Sequence, residues 1–175
     1  ASVVHYTADG ELRATEPLLN LSRGRVIPLG LDIDETLSEL DAPSITGDPK
    51  KTPYVLVLSR LHAKKGLDVL INAFLNFTSR PSSSHWRLLL AGDGETAYVN
   101  QLQQQVAGRN GNKDSVAFLG WLSGAEKRAV LKHAALLALP SYQENFGLCV
   151  IEALANGVPV LVSAQVNLSE DIKTA

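Results

Sequence analysis

From Tyr54 onward, apolar positions alternate between short continuous runs and helical stripes. Val55-Leu-Val-Leu58 is a continuous apolar run of the length of a strand buried on both faces. Leu67, Leu70, Ile71, Phe74 and Leu75 then repeat with the 3.6-residue period of an amphipathic helix. The alternation continues. Arg87-Leu-Leu-Leu-Ala91 reads as a strand, and Tyr98, Leu102 and Val106 stripe a helix over Glu95 to Val106. Val116-Ala-Phe-Leu119 is the next strand. Ser123-Gly-Ala-Glu126 has the form of a capping box opening a helix to about Ala134. Leu136-Leu-Ala-Leu139 is a strand ended by Pro140. Leu148 to Ala155 is a helix closed by Gly157, apolar on nearly all sides and therefore expected to be buried. Pro159 to Ser163 is the last strand, and Asn167 to Lys173 opens another helix. Arg80 to His85 and Asn110 to Asp114 read as loops.

Repeated strand–helix units predict an α/β fold, a Rossmann-like parallel sheet with helices on both faces. Ahead of it, Val3 to Thr7 reads as a strand, Asp9 to Leu19 as a helix and Arg25 to Gly30 as extended chain, with Pro28 at its edge. Residues 33–53 differ in character, with Pro43, Gly47, Pro49 and Pro53 in close order. That is linker composition, and it puts a boundary near residue 50, dividing 1–50 from 51–175.

Composition narrows the possibilities. The chain has 175 residues, 45% hydrophobic and 19% charged, which suits one globular domain with part of another. A net charge of −2 argues against a broad basic surface for nucleic acid but leaves room for a local anion site. The single cysteine, Cys149, excludes an internal disulfide and an all-cysteine metal centre, and fits a reducing compartment. His5, His62, His85 and His133 show no metal-ligand spacing. Apolar stretches such as Ala134 to Pro140 fall far short of the roughly 18 residues of a membrane-spanning helix. An Ala start, no methionine and no secretory leader suggest a trimmed chain or an excised domain.

In an open parallel sheet the ligand lies beyond the carboxyl ends of the strands, where the strand order reverses. With order 3-2-1-4-5, that point falls between the first and fourth strands of the regular domain. The loops there are Ser59-Arg-Leu-His-Ala-Lys-Lys-Gly66 and Ser141-Tyr-Gln-Glu-Asn-Phe-Gly147, the two richest in chemistry. Arg60, Lys64 and Lys65 offer a guanidinium fork and point charges suited to phosphate, just ahead of a helix start at Gly66. Glu144, Asn145, Phe146 and Gly147 precede a helix whose first N–H groups favour phosphate oxygens. Glu152 is the only carboxylate on that apolar helix. It needs a strong partner, and either a ribose diol or a cationic side chain would serve.

Other motifs carry less. Gly92-Asp-Gly-Glu-Thr-Ala97 has the form of a dinucleotide fingerprint. It follows the second strand of the regular domain, and no acidic residue closes the next strand, so a tight glycine turn is the expectation. No nucleotide-hydrolase P-loop is present. Cys149 lies near a helix N-terminus, where a thiol pKa can fall, but a small buried filler suits it better. Trp86 and Trp121 flank strands as packing residues, with Trp121 placed to border a base pocket.

Arg60-Leu-x-x-x-Lys65-Gly66, together with Pro140-Ser-x-x-Glu144-Asn-Phe-Gly, Glu152-Ala-x-Ala-x-Gly157 and Pro159-Val160, resembles the group 1 (family 4) glycosyltransferases. These are retaining, nucleotide-sugar-dependent enzymes of the two-domain GT-B fold. Ala91-Gly-Asp-Gly94 and Phe118-Leu-Gly120 look like the same family's C-terminal domain, so the resemblance covers nearly all of residues 54–173. Residues 1–32 look like the end of the N-terminal domain. The resemblance implies that Arg60 and Lys65 bind the donor diphosphate and Glu152 the ribose hydroxyls. Glu144 would contact the transferred hexose near the reacting face, giving a catalytic set of Glu144, Arg60 and Lys65. The backbone of Asn145, Phe146, Gly147 and Leu148 would contact sugar and phosphate, and the nucleobase would rest near Phe118 and Leu119. The donor would be a nucleoside-diphosphate sugar, UDP- or GDP-linked, with no cofactor or catalytic metal because the basic pair takes the metal's place. The acceptor, a glycan, lipid or small molecule, would bind the rest of the N-terminal domain. The setting would be cytoplasmic, with peripheral membrane attachment open to the full-length enzyme. Taken alone, the chain is expected to bind donor weakly and to transfer nothing. The competing reading of the residues is a non-catalytic Rossmann-like module for a nucleotide or phosphorylated metabolite. A third is a scaffold in which Glu152 is merely ion-paired.

Overall fold

A computed structural model describes residues 3–20, 23–31, 52–108 and 113–174. The expected linker and the boundary near residue 50 fall almost wholly outside the described residues, as does most of the Asn110–Asp114 loop. The first unit is β1 (Val4–Tyr6), α1 (Asp9–Leu19) and β2 (Gly24–Val26), with β1 and β2 paired in parallel. The second has five strands: β3 (Tyr54–Leu58), β4 (Arg87–Ala91), β5 (Val116–Gly120), β6 (Leu136–Leu139) and β7 (Val160–Val162). Its helices are α2 (Leu67–Thr78), α3 (Thr96–Ala107), α4 (Gly124–Lys132), α5 (Leu148–Ala155) and α6 (Ser169–Thr174).

The strand order is β5-β4-β3-β6-β7 and every pairing is parallel, which is the expected 3-2-1-4-5 arrangement. The two-residue period of the strands divides the core between the faces. Tyr54, Leu56, Leu89, Leu137 and Leu139 pack with Val130 and Leu131 of α4 and with Val150 and Ala153 of α5. Val55, Val57, Leu88 and Leu90 pack with Leu67, Ile71 and Phe74 of α2 and with Leu102 and Val106 of α3. Each such fully buried aliphatic side chain contributes about 1.5–3 kcal/mol, so both faces must be covered for the sheet to persist. Tyr54 lies wholly inside and donates its hydroxyl to the Val130 carbonyl at 2.7 Å, tying β3 to α4.

Two elements differ from the sequence reading, the first of them at both ends. Ser123 does occupy the N-cap of α4, but its side chain makes no capping hydrogen bond. Gly124 enters the helix at φ +54°, which turns the chain away from the approach a capping box needs. The helix also ends at Lys132, short of Ala134. The Ala135 N–H is already given to the Tyr54 carbonyl at 3.0 Å, so the chain must extend there to join the sheet. Finally, α5 is not enclosed. Val150 and Ala153 are buried, whereas Leu148 and Leu154 are more than two-fifths exposed. One face of α5 covers β6 and β7, and β7 is the last strand of the sheet.

The first unit docks onto the second through α1. Ala8 belongs to the same buried cluster as Val166 and Leu168, and a Cβ on Gly10 would meet the Asn167 side chain at 2.9 Å.

Candidate donor site

The loops after β3 and β6 lie side by side at the carboxyl edge of the sheet, where the topology turns. The Tyr142 N–H donates to the Lys64 carbonyl at 2.8 Å, and Lys64 Nζ donates to Gln143 Oε1 at 3.3 Å. In the first loop His62 caps a short 3-10 turn at Ala63–Lys65 by accepting the Lys64 N–H on Nδ1. Gly66 follows in the left-handed region and starts α2. The turn aims Lys65 across the edge, where its ammonium pairs with Glu144 Oε2, both side chains being largely buried. Arg60 is exposed and forms no ion pair among the described residues.

The second loop is pinned to the loop after β7. The Glu144 N–H donates to the Gln165 carbonyl at 3.3 Å, and the Asn167 N–H donates to the Glu144 carbonyl at 3.1 Å. Phe146 is buried in the core, so it can offer a ligand only its main chain. Gly147 caps α5 at φ +73°, in the left-handed region, with Leu139 Cδ2 only 3.2 Å from where a Cβ would stand. A glycine is needed there because the chain reverses into the helix in contact with β6. Beyond it the first N–H groups of α5, starting at Leu148 and Cys149, face the edge and complete a positive helix terminus.

Glu152 is held but not satisfied. Lys127 Nζ donates to its Oε1 at 2.6 Å, while Oε2 is shut off from solvent and accepts no hydrogen bond. This bears on both partners that the sequence left open, because a cation takes one oxygen and leaves the other without a donor. Both residues line a cavity of about 290 Å³ with Arg60, Gly92, Trp121 and Leu148. A second hollow of about 450 Å³ shares Leu58, Ser59, Leu148 and Cys149 with the first, and adds Lys65, Glu144 to Gly147, Thr7 and Leu29. The N-terminus of α5 therefore stands where the two hollows meet. A third, about 410 Å³, is lined by Arg60, His62, Lys64, Lys65 and Glu144.

Arg60, Lys65, Glu144 to Leu148 and Glu152 are thus brought to one edge. Phe118 and Leu119 are placed differently. Their side chains pack against the core on opposite faces of β5, and Trp121 and Leu122 form the cavity wall instead. The bulge between β4 and β5 pairs Ala91 with Gly120 and moves the rim past Leu119. Gly92 and Gly94 form a close-approach turn. A Cβ on either would overlap the Ser59 or Leu61 carbonyl, and the Leu61 N–H donates to the Asp93 carbonyl at 2.8 Å. Burial, followed by Glu144 and Glu152, pushes the Cys149 thiol up to about 12, although the residue is half-buried and lines both hollows. Lys127 escapes a local reading, though its position held a signal. It stands at the head of the inward stripe of Val130, Leu131 and Ala134, where an apolar residue is expected. Among the described residues no cluster of three or more His, Cys, Asp or Glu could hold a metal ion, and no helix is long and apolar enough to cross a membrane.

Known proteins are similar in both sequence and structure. Mannosylfructose-phosphate synthase of Agrobacterium fabrum is 35% identical over 113 residues, 62% of this chain and 25% of that protein. A D-inositol 3-phosphate glycosyltransferase of Corynebacterium efficiens is 33% identical over 163 residues, 92% of this chain and 37% of that protein. The crystal structure of Anabaena Alr3699/HepE, in complex with UDP and glucose, superposes with a TM-score of 0.79 at 26% identity, covering 97% of this chain and 46% of that one. The chain therefore spans only a quarter to less than half of these proteins. The family model described as "Glycosyl transferases group 1" matches residues 40–174, and on that match the chain belongs to the group 1 glycosyl transferases.

Proposed function

We propose that this chain is the donor-binding part of a retaining family 4 glycosyltransferase, which transfers a hexose from a UDP- or GDP-sugar to a glycan, lipid or small-molecule acceptor. The observation that carries the reading is that Glu152, whose Oε2 accepts no hydrogen bond, lines the same cavity as Arg60. A ribose hydroxyl is a donor of the kind this oxygen lacks. With the nucleoside in the smaller cavity, the diphosphate crosses the N-terminus of α5 and the sugar enters the hollow beside Glu144. Trp121 and Leu122, rather than the side chains of Phe118 and Leu119, then border the base.

The reaction breaks the bond between the anomeric carbon and the diphosphate, and negative charge grows on the departing oxygen. Lys65, paired with Glu144, and the first N–H groups of α5 are held in place beforehand and stabilise that charge with little reorganisation, and the exposed Arg60 adds to them. Lys65 also orients Glu144, whose second oxygen is left for sugar hydroxyls. The acceptor, the N-terminal-domain residues that bind it and any attachment to the cytoplasmic membrane face belong to the longer protein.

Titration calorimetry of the folded chain with UDP, GDP, ADP and their sugar conjugates tests the reading, with folding followed by circular dichroism. Selective binding of one diphosphate, lost in Arg60→Ala and Glu152→Ala, is expected. The Lys127–Glu152 pair favours the scaffold alternative, which predicts instead that Glu152→Ala unfolds the chain without touching any ligand.

A further inference from the structure

The first unit hydrogen-bonds the donor loop through Glu11. Glu11 stands in the first turn of α1, and its two carboxylate oxygens do separate work. Oε2 accepts both the N–H and the hydroxyl of Thr7 at 2.8 Å each, closing the start of the helix. Oε1 accepts Nδ2 of Asn145 at 3.1 Å, across 134 residues of sequence. Asn145 directly follows Glu144, so the contact falls on the segment whose main chain lines the larger hollow. Thr7 lines that hollow too. The far side of the same segment is fixed by Gln165 and Asn167, and Asn167 in turn lies against Gly10 of α1. The loop is therefore clamped between α1 and the loop after β7, and Glu11 supplies the polar contact from the α1 side.

We propose that Glu11 is a positioning residue for the donor: by holding Asn145 it sets the backbone of residues 144–147, so that donor affinity depends on the docking of the first unit. This rests on the donor-site reading above. Glu11 touches neither nucleotide nor sugar in this scheme. It acts through the shape of the loop, and it makes undocking of the first unit a way to release the diphosphate product.

The test is a double-mutant cycle in the full-length protein with UDP and GDP as probes, read by calorimetry and by thermal midpoint. Glu11→Ala and Asn145→Ala are each expected to weaken binding of the preferred diphosphate about fivefold, the size of one net hydrogen bond. The double variant should be no weaker than either single one, because both remove the same contact. Glu11→Gln, which can still accept from Thr7 and donate to a turned Asn145 amide, should recover most of the loss. Additive effects, or a fall in thermal midpoint with unchanged affinity in Glu11→Ala, would overturn the proposal. A wild type that binds neither UDP nor GDP would sink the donor-site reading itself, and this inference with it.

Discussion

Lys127 donates to one oxygen of Glu152 at 2.6 Å and leaves the other buried with nothing to accept from. The pair is only partly shielded, at 33% and 19% side-chain exposure, so its net worth is that of a screened ion pair. Breaking it from one side is a different matter. Lys127→Met would leave the carboxylate half-buried with neither partner, and should lower stability by about 1–2 kcal/mol. Lys127→Met with Glu152→Leu removes the stranded charge and should recover most of that loss while abolishing diphosphate binding. Urea unfolding of the three proteins checks this. Full nucleotide binding in the double variant would remove Glu152 from the site.

Gly147 should be intolerant of any side chain. An alanine there would hold φ +73° at a cost of about 1–2 kcal/mol, with its methyl 3.2 Å from Leu139. Gly147→Ala is expected to lower the denaturation midpoint and to weaken phosphate binding, because relaxing the strained φ moves the start of α5 and the Leu139 side chain must also give way. Gly157→Ala offers a contrast, since its φ of +71° carries the same backbone cost with open space around the added carbon. An equal response at the two positions would show that the packing against Leu139 contributes nothing.

The Cys149 thiol, pushed up to about 12 by burial and by Glu144 and Glu152, should be inert in the folded protein. Iodoacetamide at pH 8 is expected to label it slowly until guanidinium is added, because the thiolate is the reacting species. The sign for stability follows from the raised value. The fold favours the neutral thiol, so this contribution is complete below the ordinary thiol range and fades as pH rises from there towards 12. Rapid labelling of the native protein would contradict the raised value.

Much of the fold was legible because buried parallel strands and amphipathic helices leave different periods in a sequence. β3 to β7 and α2 fall where the apolar pattern put them, and α1 spans the expected Asp9 to Leu19. The parts that misread depend on a neighbour's geometry. The hydroxyl of Ser123 cannot cap once Gly124 turns left-handed, and α5 keeps an exposed flank because β7 ends the sheet. Neither fact is local.

The same division holds for the site. Strand order and loop chemistry already assigned Arg60, Lys65, Glu144 and Glu152 to one edge, because in a parallel sheet the chain must return to the same end after every strand. Pairings could not be assigned in that way. That Lys65 goes to Glu144, Lys127 to one oxygen of Glu152 and Asn145 to Glu11 is set by distances between elements far apart in the chain. Sequence alone thus determined the sheet, its order and the chemistry gathered at its edge. Only the tertiary structure decided which charges neutralise one another and which oxygen is left without a donor, because those choices rest on ångström-scale separations that no residue pattern encodes.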